Sequence, residues 1–439
     1  MFIKKAFGWI FIIVLAGAAV LLAVRAVWNG TTNASLERYL KQAAAAGIPL
    51  KFAELGPACP EDETAAPLWK AADALLDVES LRAEVKGGSP IGEWFNAGPM
   101  EEKARVAYEA AIRKNRRPID LYLESADRHC GRDPERNAVV RDPRDLAKRL
   151  WAVRMIGVEA VLKAKIGDMK GGLEECLRGL KFVRLTLDEP GLIYALVSIS
   201  SMKILIVSLD RIVDGEAIDP EALRQFFGVL SSADWRAAFR RHIQAERIFA
   251  LETGDNALQS GRPALWLARP LVRSRFVKYL GVSDEMERIY GLPFTERGNA
   301  ILEFDRRAEN PSWIDRITQK LLPEESRVGD PTMGAPALKE ATLEAMMDSA
   351  RIGLAARIYR VREGRWPESS ATLVPEFLEK EPLDPFSGKP YVYRVGPDGL
   401  LVYSVGANLK DEGGRGTYQI TQLVMPKDDD WAWRDSFKK

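Results

Sequence analysis

The chain has 439 residues, with 63 Lys and Arg against 62 Asp and Glu, and a net charge of +1. That balance lacks the cationic footprint that phosphate-backbone binding needs, so no nucleic acid is expected as a partner. A hydrophobic share of 46% supplies a real core and excludes a mainly disordered protein, while two histidines, His129 and His242, leave little room for histidine-based chemistry.

In chain order, the first predicted element is apolar. Lys4 and Lys5 precede a run from Ala6 to Val24 that Arg25 ends, with Trp9 and Trp28 near its two ends. Nineteen residues at a helical rise span about 28 Å, close to the hydrocarbon thickness of a bilayer. The lysines favour a cytoplasmic N-terminus with the rest of the chain across the membrane. Residues 6–24 are thus expected to meet the lipid bilayer as an uncleaved anchor. A signal peptide cut near Val24-Arg25-Ala26 is the rival, disfavoured by the length of the run and by Arg25.

Residues 29–323 read as an irregular helical domain. Leu146, Leu150, Val153, Gly157 and Val161 recur at helical steps behind the start signal Asp142-Pro143. Gly167-Asp168 breaks the chain, and Leu173, Leu177, Leu180 and Leu187 stripe the next helix. This hairpin resembles a single tetratricopeptide-type unit, with no second copy at fixed period. Further starts are predicted at Asp219-Pro220, Ser232 and Ser283. Gly191–Leu209 is apolar enough to suggest a second span, but Lys203 and its serines point to a core helix. Cys59, Cys130 and Cys176 show neither a zinc pattern nor a disulfide framework; three buried thiols are preferred over one bridge with a free thiol.

Residues 324–336 are rich in proline and glycine and read as a linker. Within 337–439, Leu343, Met347, Ala350, Leu354, Ile358 and Val361 form an apolar helical stripe that Gly364 is placed to end. Tyr391–Val395 and Leu400–Ser404 flank the turn Gly396-Pro397-Asp398-Gly399 and read as a hairpin. The whole chain is therefore expected to be mainly α with a C-terminal α+β module: an N-terminal transmembrane helix (1–28), the helical domain, the linker, and a long helix packed on a small antiparallel sheet.

The strings Gly364–Pro367 (GRWP), Leu373–Leu378 (LVPEFL), Leu383–Tyr393 (LDPFSGKPYVY) and Val402–Gly416 (VYSVGANLKDEGGRG) resemble the C-terminal domain of the major pseudopilin of type II secretion. The resemblance implies a calcium site in the loop after the hairpin, with Asn408, Asp411, Asp428 and Asp430 as ligands; calcium takes six to eight oxygens, and backbone carbonyls would add to these. Lys4–Gly8 also looks like a pilin leader. Ile13 stands where pilins place glutamate, however, and the long helical domain separates leader from module. Both departures speak against a true pseudopilus subunit.

Catalytic signals are sparse. His242 and Glu246 are four apart on one predicted helix, without further ligands for a metal. His129-Cys130 lacks an orienting group, and no carboxylate pair stands out. The resulting expectation is a single-pass protein of a bacterial cytoplasmic membrane, its bulk extracytoplasmic. Its expected role is structural or adaptor, with envelope or secretion-system proteins as partners. The alternative is an envelope hydrolase or other enzyme with its site in the helical domain. Carboxylates gathered with His242 in one deep pocket would favour that enzyme.

Overall fold

The computed structural model describes residues 2–56, 59–78, 102–133, 143–213, 218–232, 235–259, 263–292, 294–309, 316, 334–397, 399–414 and 431–436. Helix α1 (Phe2–Ala45) runs unbroken for 44 residues, about 66 Å. It does not stop at Trp28, where the sequence places the end of the anchor. Thr32 lies inside the uninterrupted run, its hydroxyl donating to the Trp28 carbonyl at 2.9 Å within the same helix.

The two halves of α1 have opposite fates. Val14, Leu15, Val20, Leu21, Leu22, Val24 and Val27 are all more than half exposed. From Asn29 onward the helix docks along α10 (Pro263–Tyr290). Arg273 donates to the Asn29 side chain at 2.9 Å, and the Tyr39 hydroxyl donates to Asp284 at 2.9 Å. Leu36 and Tyr39 pack against Phe276 and Leu280 there.

Helices α2 (Ala66–Leu75), α3 (Glu102–Lys114) and α4 (Arg116–Glu124) form one end of the body. Cys59 and Cys130 are joined by a disulfide with their Cα atoms 6.1 Å apart, and only Cys176 remains a free, buried thiol. This corrects the preference for three thiols. Seventy-one residues separate the pair in sequence, so no local spacing signals it. The same segment is held by Thr64, which donates to the Arg132 carbonyl, and by Asp188, which accepts the Gly131 N–H.

The central layer is α5 (Pro143–Lys165), α6 (Met169–Thr186) and α7 (Leu192–Val213). Asp168 caps α6, accepting the Gly171 N–H at 2.9 Å, and Gly167 takes a left-handed φ of 95°, as the Gly-Asp break predicts. Helix α7 is the apolar 191–209 stretch, and two-thirds of its apolar window is buried inside the protein. It is a core helix. Ser198, Ser201 and Ser208 do not turn outward but are buried; Ser208 donates to the Ile204 carbonyl, and Ser198 shares a hydrogen bond with Thr186.

Beyond it lie α8 (Pro220–Ser232), α9 (Trp235–Gln259) and α11 (Phe294–Glu309). Asp219 starts α8 as expected, its side chain accepting the Glu221 N–H. Ser283 starts nothing. It lies inside α10, where its hydroxyl donates to the Tyr279 carbonyl.

Helix α12 (Gly334–Glu363) ends at Gly364, whose φ is 72°. Of the linker, 324–333 lie outside the described residues and 334–336 belong to α12. Strands β1 (Val392–Gly396), β2 (Gly399–Ser404) and β3 (Trp431–Ser436) form an antiparallel sheet in the order β1-β2-β3. Gly396 faces Gly399 across the predicted hairpin turn.

The apolar stripe of α12 faces mainly the helical body, and from the sheet only Trp433 of β3 belongs to the same core cluster among the described residues. Leu343, Met347, Ala350, Leu354 and Ile358 join the core of the helical body, whereas Ala345, Ile352, Ala355 and Ala356 meet Leu400 and Val402 of β2. Helix α12 is thus buried on two faces. The observed class is mainly α with a small C-terminal antiparallel sheet and an apolar N-terminal helix.

Candidate functional site

The residues singled out by sequence are scattered. His129 is exposed and its neighbour Cys130 is consumed in the disulfide, so no thiol–imidazole dyad exists. His242 is fully buried on α9, edge-on to Phe239, and burial followed by the nearby Arg241 pushes its pKa down to about 3. A neutral, enclosed imidazole cannot exchange protons with a substrate. Glu246 spends an oxygen on α7, accepting the Leu192 N–H at 2.7 Å. The HxxxE pair is structural.

In the loop after β2, both Asp411 oxygens are engaged. Oδ1 accepts from the Tyr403 hydroxyl and the Gly413 N–H; Oδ2 accepts from Arg394 at 2.8 Å. Asn408 accepts the Lys410 N–H and donates to Glu412. A guanidinium thus supplies positive charge at this turn. Asp428 and Asp430 lie outside the described residues. Among the described residues, no group of three or more His, Cys, Asp or Glu side chains is arranged to hold a metal ion.

Convergent polar groups occur elsewhere, in a cleft of about 160 Å³ where α8, α9 and α12 meet. The end of α8 gives Leu230 and Ser231, and the start of α9 gives Trp235 and Arg236. Helix α12 contributes Glu340, Glu344 and Asp348 with Met347 and Arg351. Steps of four residues put the three carboxylates on one helical face.

Each carboxylate has its own arginine. Glu340 accepts from Arg297 at 3.0 Å, and both are almost fully buried. Glu344 accepts from Arg236 at 2.5 Å. Asp348 accepts from Arg351 at 3.0 Å and from the Tyr391 hydroxyl at 3.4 Å. Arg351 also donates to Ser231 and lies 5.7 Å over the Phe227 ring.

Burial opposes ionisation here and raises the pKa of Glu340 to about 7 and that of Asp348 to about 6, despite their arginines. Three buried polar atoms on the lining residues have no protein partner: Glu340 Oε1, Glu344 Oε2 and Trp235 Nε1.

Comparison with protein-family models, with curated proteins and with solved structures found no match. The cleft is therefore read from its own geometry.

Sequence reading misses it because carboxylates on an amphipathic helix ordinarily form its solvated side, which gives Glu344 and Asp348 no distinguishing mark. The signal that was present is Glu340-x₃-Glu344-x₃-Asp348 on a helix apolar on its other sides. His242 does not join this cluster.

Proposed function

We propose that the chain is a membrane-anchored protein of a bacterial cell envelope whose helical body stands outside the cytoplasmic membrane and serves as a structural or adaptor component. The observation that carries this is α1. Its apolar residues from Val14 to Val27 are exposed, and the helix continues without a break into a docked element of the body. A span joined rigidly to a body holds that body at a fixed height and orientation.

Two further features support the extracytoplasmic side. Lys4 and Lys5 precede the span. The Cys59–Cys130 disulfide suits an oxidising compartment and not the cytosol.

The pseudopilin-like strings between Gly364 and Gly416 support a place among envelope or secretion-system proteins, in a type II secretion-like assembly. A pseudopilus subunit is disfavoured by Ile13 and by the burial of α12 on two faces. Calcium on Asn408, Asp411, Asp428 and Asp430 belongs to the same proposal. Its test is a melting temperature that rises with added calcium in the wild type and not in Asp428→Asn.

An envelope hydrolase is the second candidate, favoured by the cleft and its weakly acidic Glu340 and Asp348. The two are separated by purifying tagged full-length protein from its native membrane after mild crosslinking. Stoichiometric envelope partners support the adaptor. Recovery of the protein alone, with hydrolytic activity lost in Glu340→Gln, supports the enzyme.

A further inference from the structure

Helices α1 and α10 lie side by side and run in the same direction. Asn29 meets Arg273 and Tyr39 meets Asp284, partners 244 and 245 positions apart. A nearly constant offset is what two parallel helices of equal rise produce. Carried toward both N-termini, that offset sets Arg269 level with Arg25, and Pro263 level with about Ala19. The seam itself reaches Arg25. Arg25 and Asn29, one turn apart, are half-buried, whereas Ala23, Val24, Ala26 and Val27 are exposed.

Helix α10 continues past that level. Its first residues, Pro263–Ala268 (PALWLA), extend about 9 Å beyond Arg269 on the side of the apolar half of α1. The two helices change character at one height. In α1 the apolar run ends at Val24 and Arg25 follows; in α10 an uncharged run ends at Ala268 and Arg269 follows. Tryptophan is enriched at membrane–water interfaces, and each helix carries one near this level, Trp28 and Trp266.

The neighbouring helix stops short. Helix α9 runs antiparallel to α10: Gln244 donates to Glu287, Arg247 donates to Asp284, and Ala250 packs with Phe276 and Leu280. This pairing brings its last residue, Gln259, to about the level of Arg269–Val272. Its closing stretch, Thr253–Gln259 (TGDNALQ), carries Asp255 and Asn256. The charged helix thus ends at the boundary, and the uncharged start of α10 crosses it.

We propose that Pro263–Ala268 enter the bilayer leaflet nearest the body, beside α1, with Arg25 and Arg269 at the lipid phosphate level. This rests on the reading of α1 as a membrane span. A depth of about 9 Å is within the reach of interfacial helices, which bury about 5–10 Å into the headgroup and acyl boundary. Proline at the first helical position removes one of the N–H groups that a helix start leaves unpaired. So short a contact does not hold a protein on a membrane by itself. Joined to α1, it gives the body a second point of attachment and fixes its rotation about the anchor.

The test uses full-length protein in vesicles of phosphatidylethanolamine and phosphatidylglycerol. Single cysteines are placed at Leu265→Cys, Leu267→Cys, Leu21→Cys and Ser274→Cys in a Cys176→Ser background, and each is labelled with nitrobenzoxadiazole. Two positions in the segment guard against one substitution that unfolds the protein, and melting curves show which variants fold. Quenching is compared between lipids carrying a nitroxide high on the acyl chain and iodide in the water. Labels at 265, 267 and 21 are expected to be quenched by the lipid nitroxide more than by iodide, and the label at 274 by iodide. Lipid quenching at 21 with iodide quenching at 265 and 267, or with neither quencher reaching them, overturns the proposal and leaves the anchor standing. Lipid quenching at 274 overturns the boundary at Arg269. Iodide quenching at 21 removes the anchor, and the proposal with it.

Discussion

The indole of Trp433 on β3 lies directly against Gly353 in the middle of α12. A Cβ at Gly353 would stand 2.2 Å from the indole Cδ1, a distance no side chain tolerates. Trp433 is buried and belongs to the core of the helical body, so this contact ties the terminal sheet to the helices through α12.

Gly353→Ala separates local from tertiary effects by sign. On an unpacked helix the change would stabilise by about 0.5–1 kcal/mol. Displacing the indole costs about 1–3 kcal/mol, as overpacking does elsewhere. We expect net destabilisation, read as a lower denaturant midpoint with unchanged slope. A rise in the midpoint would remove Trp433 from this position.

This contact also marks the limit of what the sequence discloses. The helical stripe of α12, its end at Gly364, the β1–β2 hairpin and the Gly167-Asp168 break rest on local periodicity or turn chemistry, and each is found. Strand β3 has no such signal in its short Trp- and charge-containing run. The sheet-facing side of α12 consists largely of alanines, which periodicity counts weakly although they allow close approach. The disulfide, two of the cleft's arginine–carboxylate pairs (Arg297–Glu340 and Arg236–Glu344) and the Arg351–Ser231 hydrogen bond depend on long-range contacts. Arg236–Glu344 and Arg351–Ser231, for instance, join residues more than a hundred positions apart.

Removing the Cys59–Cys130 bridge tests how much it contributes to the α2–α4 end of the body. The closed loop is long, and loss of a native bridge commonly costs about 2–5 kcal/mol. Cys59→Ser with Cys130→Ser is expected to lower the unfolding midpoint by a corresponding amount, whereas Cys176→Ser, which removes a buried thiol, leaves the bridge intact. Equal unfolding curves for the double variant and the wild type would contradict a bridge that stabilises the fold.

The cleft predicts a pH signature. Burial raises the Glu340 pKa from 4.5 to about 7, with Glu344 acting in the same direction and Arg297 and Arg236 opposing. Between those values the folded state holds a proton that the unfolded chain has released. Its contribution is therefore fully present below about pH 4.5 and declines as pH rises through 7. Glu340→Gln has no such proton, so its stability relative to wild type should increase from pH 5 to pH 8. Unfolding midpoints at the two pH values measure this. A constant difference would mean that Glu340 titrates normally.

Truncation distinguishes the two halves of α1. Deleting residues 1–28 removes exposed apolar surface and should yield a soluble protein that unfolds cooperatively. Deleting 1–46 also strips Leu36 and Tyr39 from Phe276 and Leu280 and removes the acceptor of Arg273. The longer truncation should melt lower than the shorter one by about one to two degrees, roughly what one or two kcal/mol produces in a chain of this size. Identical melting would mean that the docking of α1 on α10 contributes nothing.

The central claim, an anchored body on the oxidising side of a membrane, meets its most direct test in one mass measurement. Full-length protein is recovered from the alkali-washed native membrane, denatured, and alkylated without reductant. A single labelled thiol at Cys176, with Cys59 and Cys130 linked, is the predicted result. Three labelled thiols, or protein found only in the soluble fraction, would contradict the account.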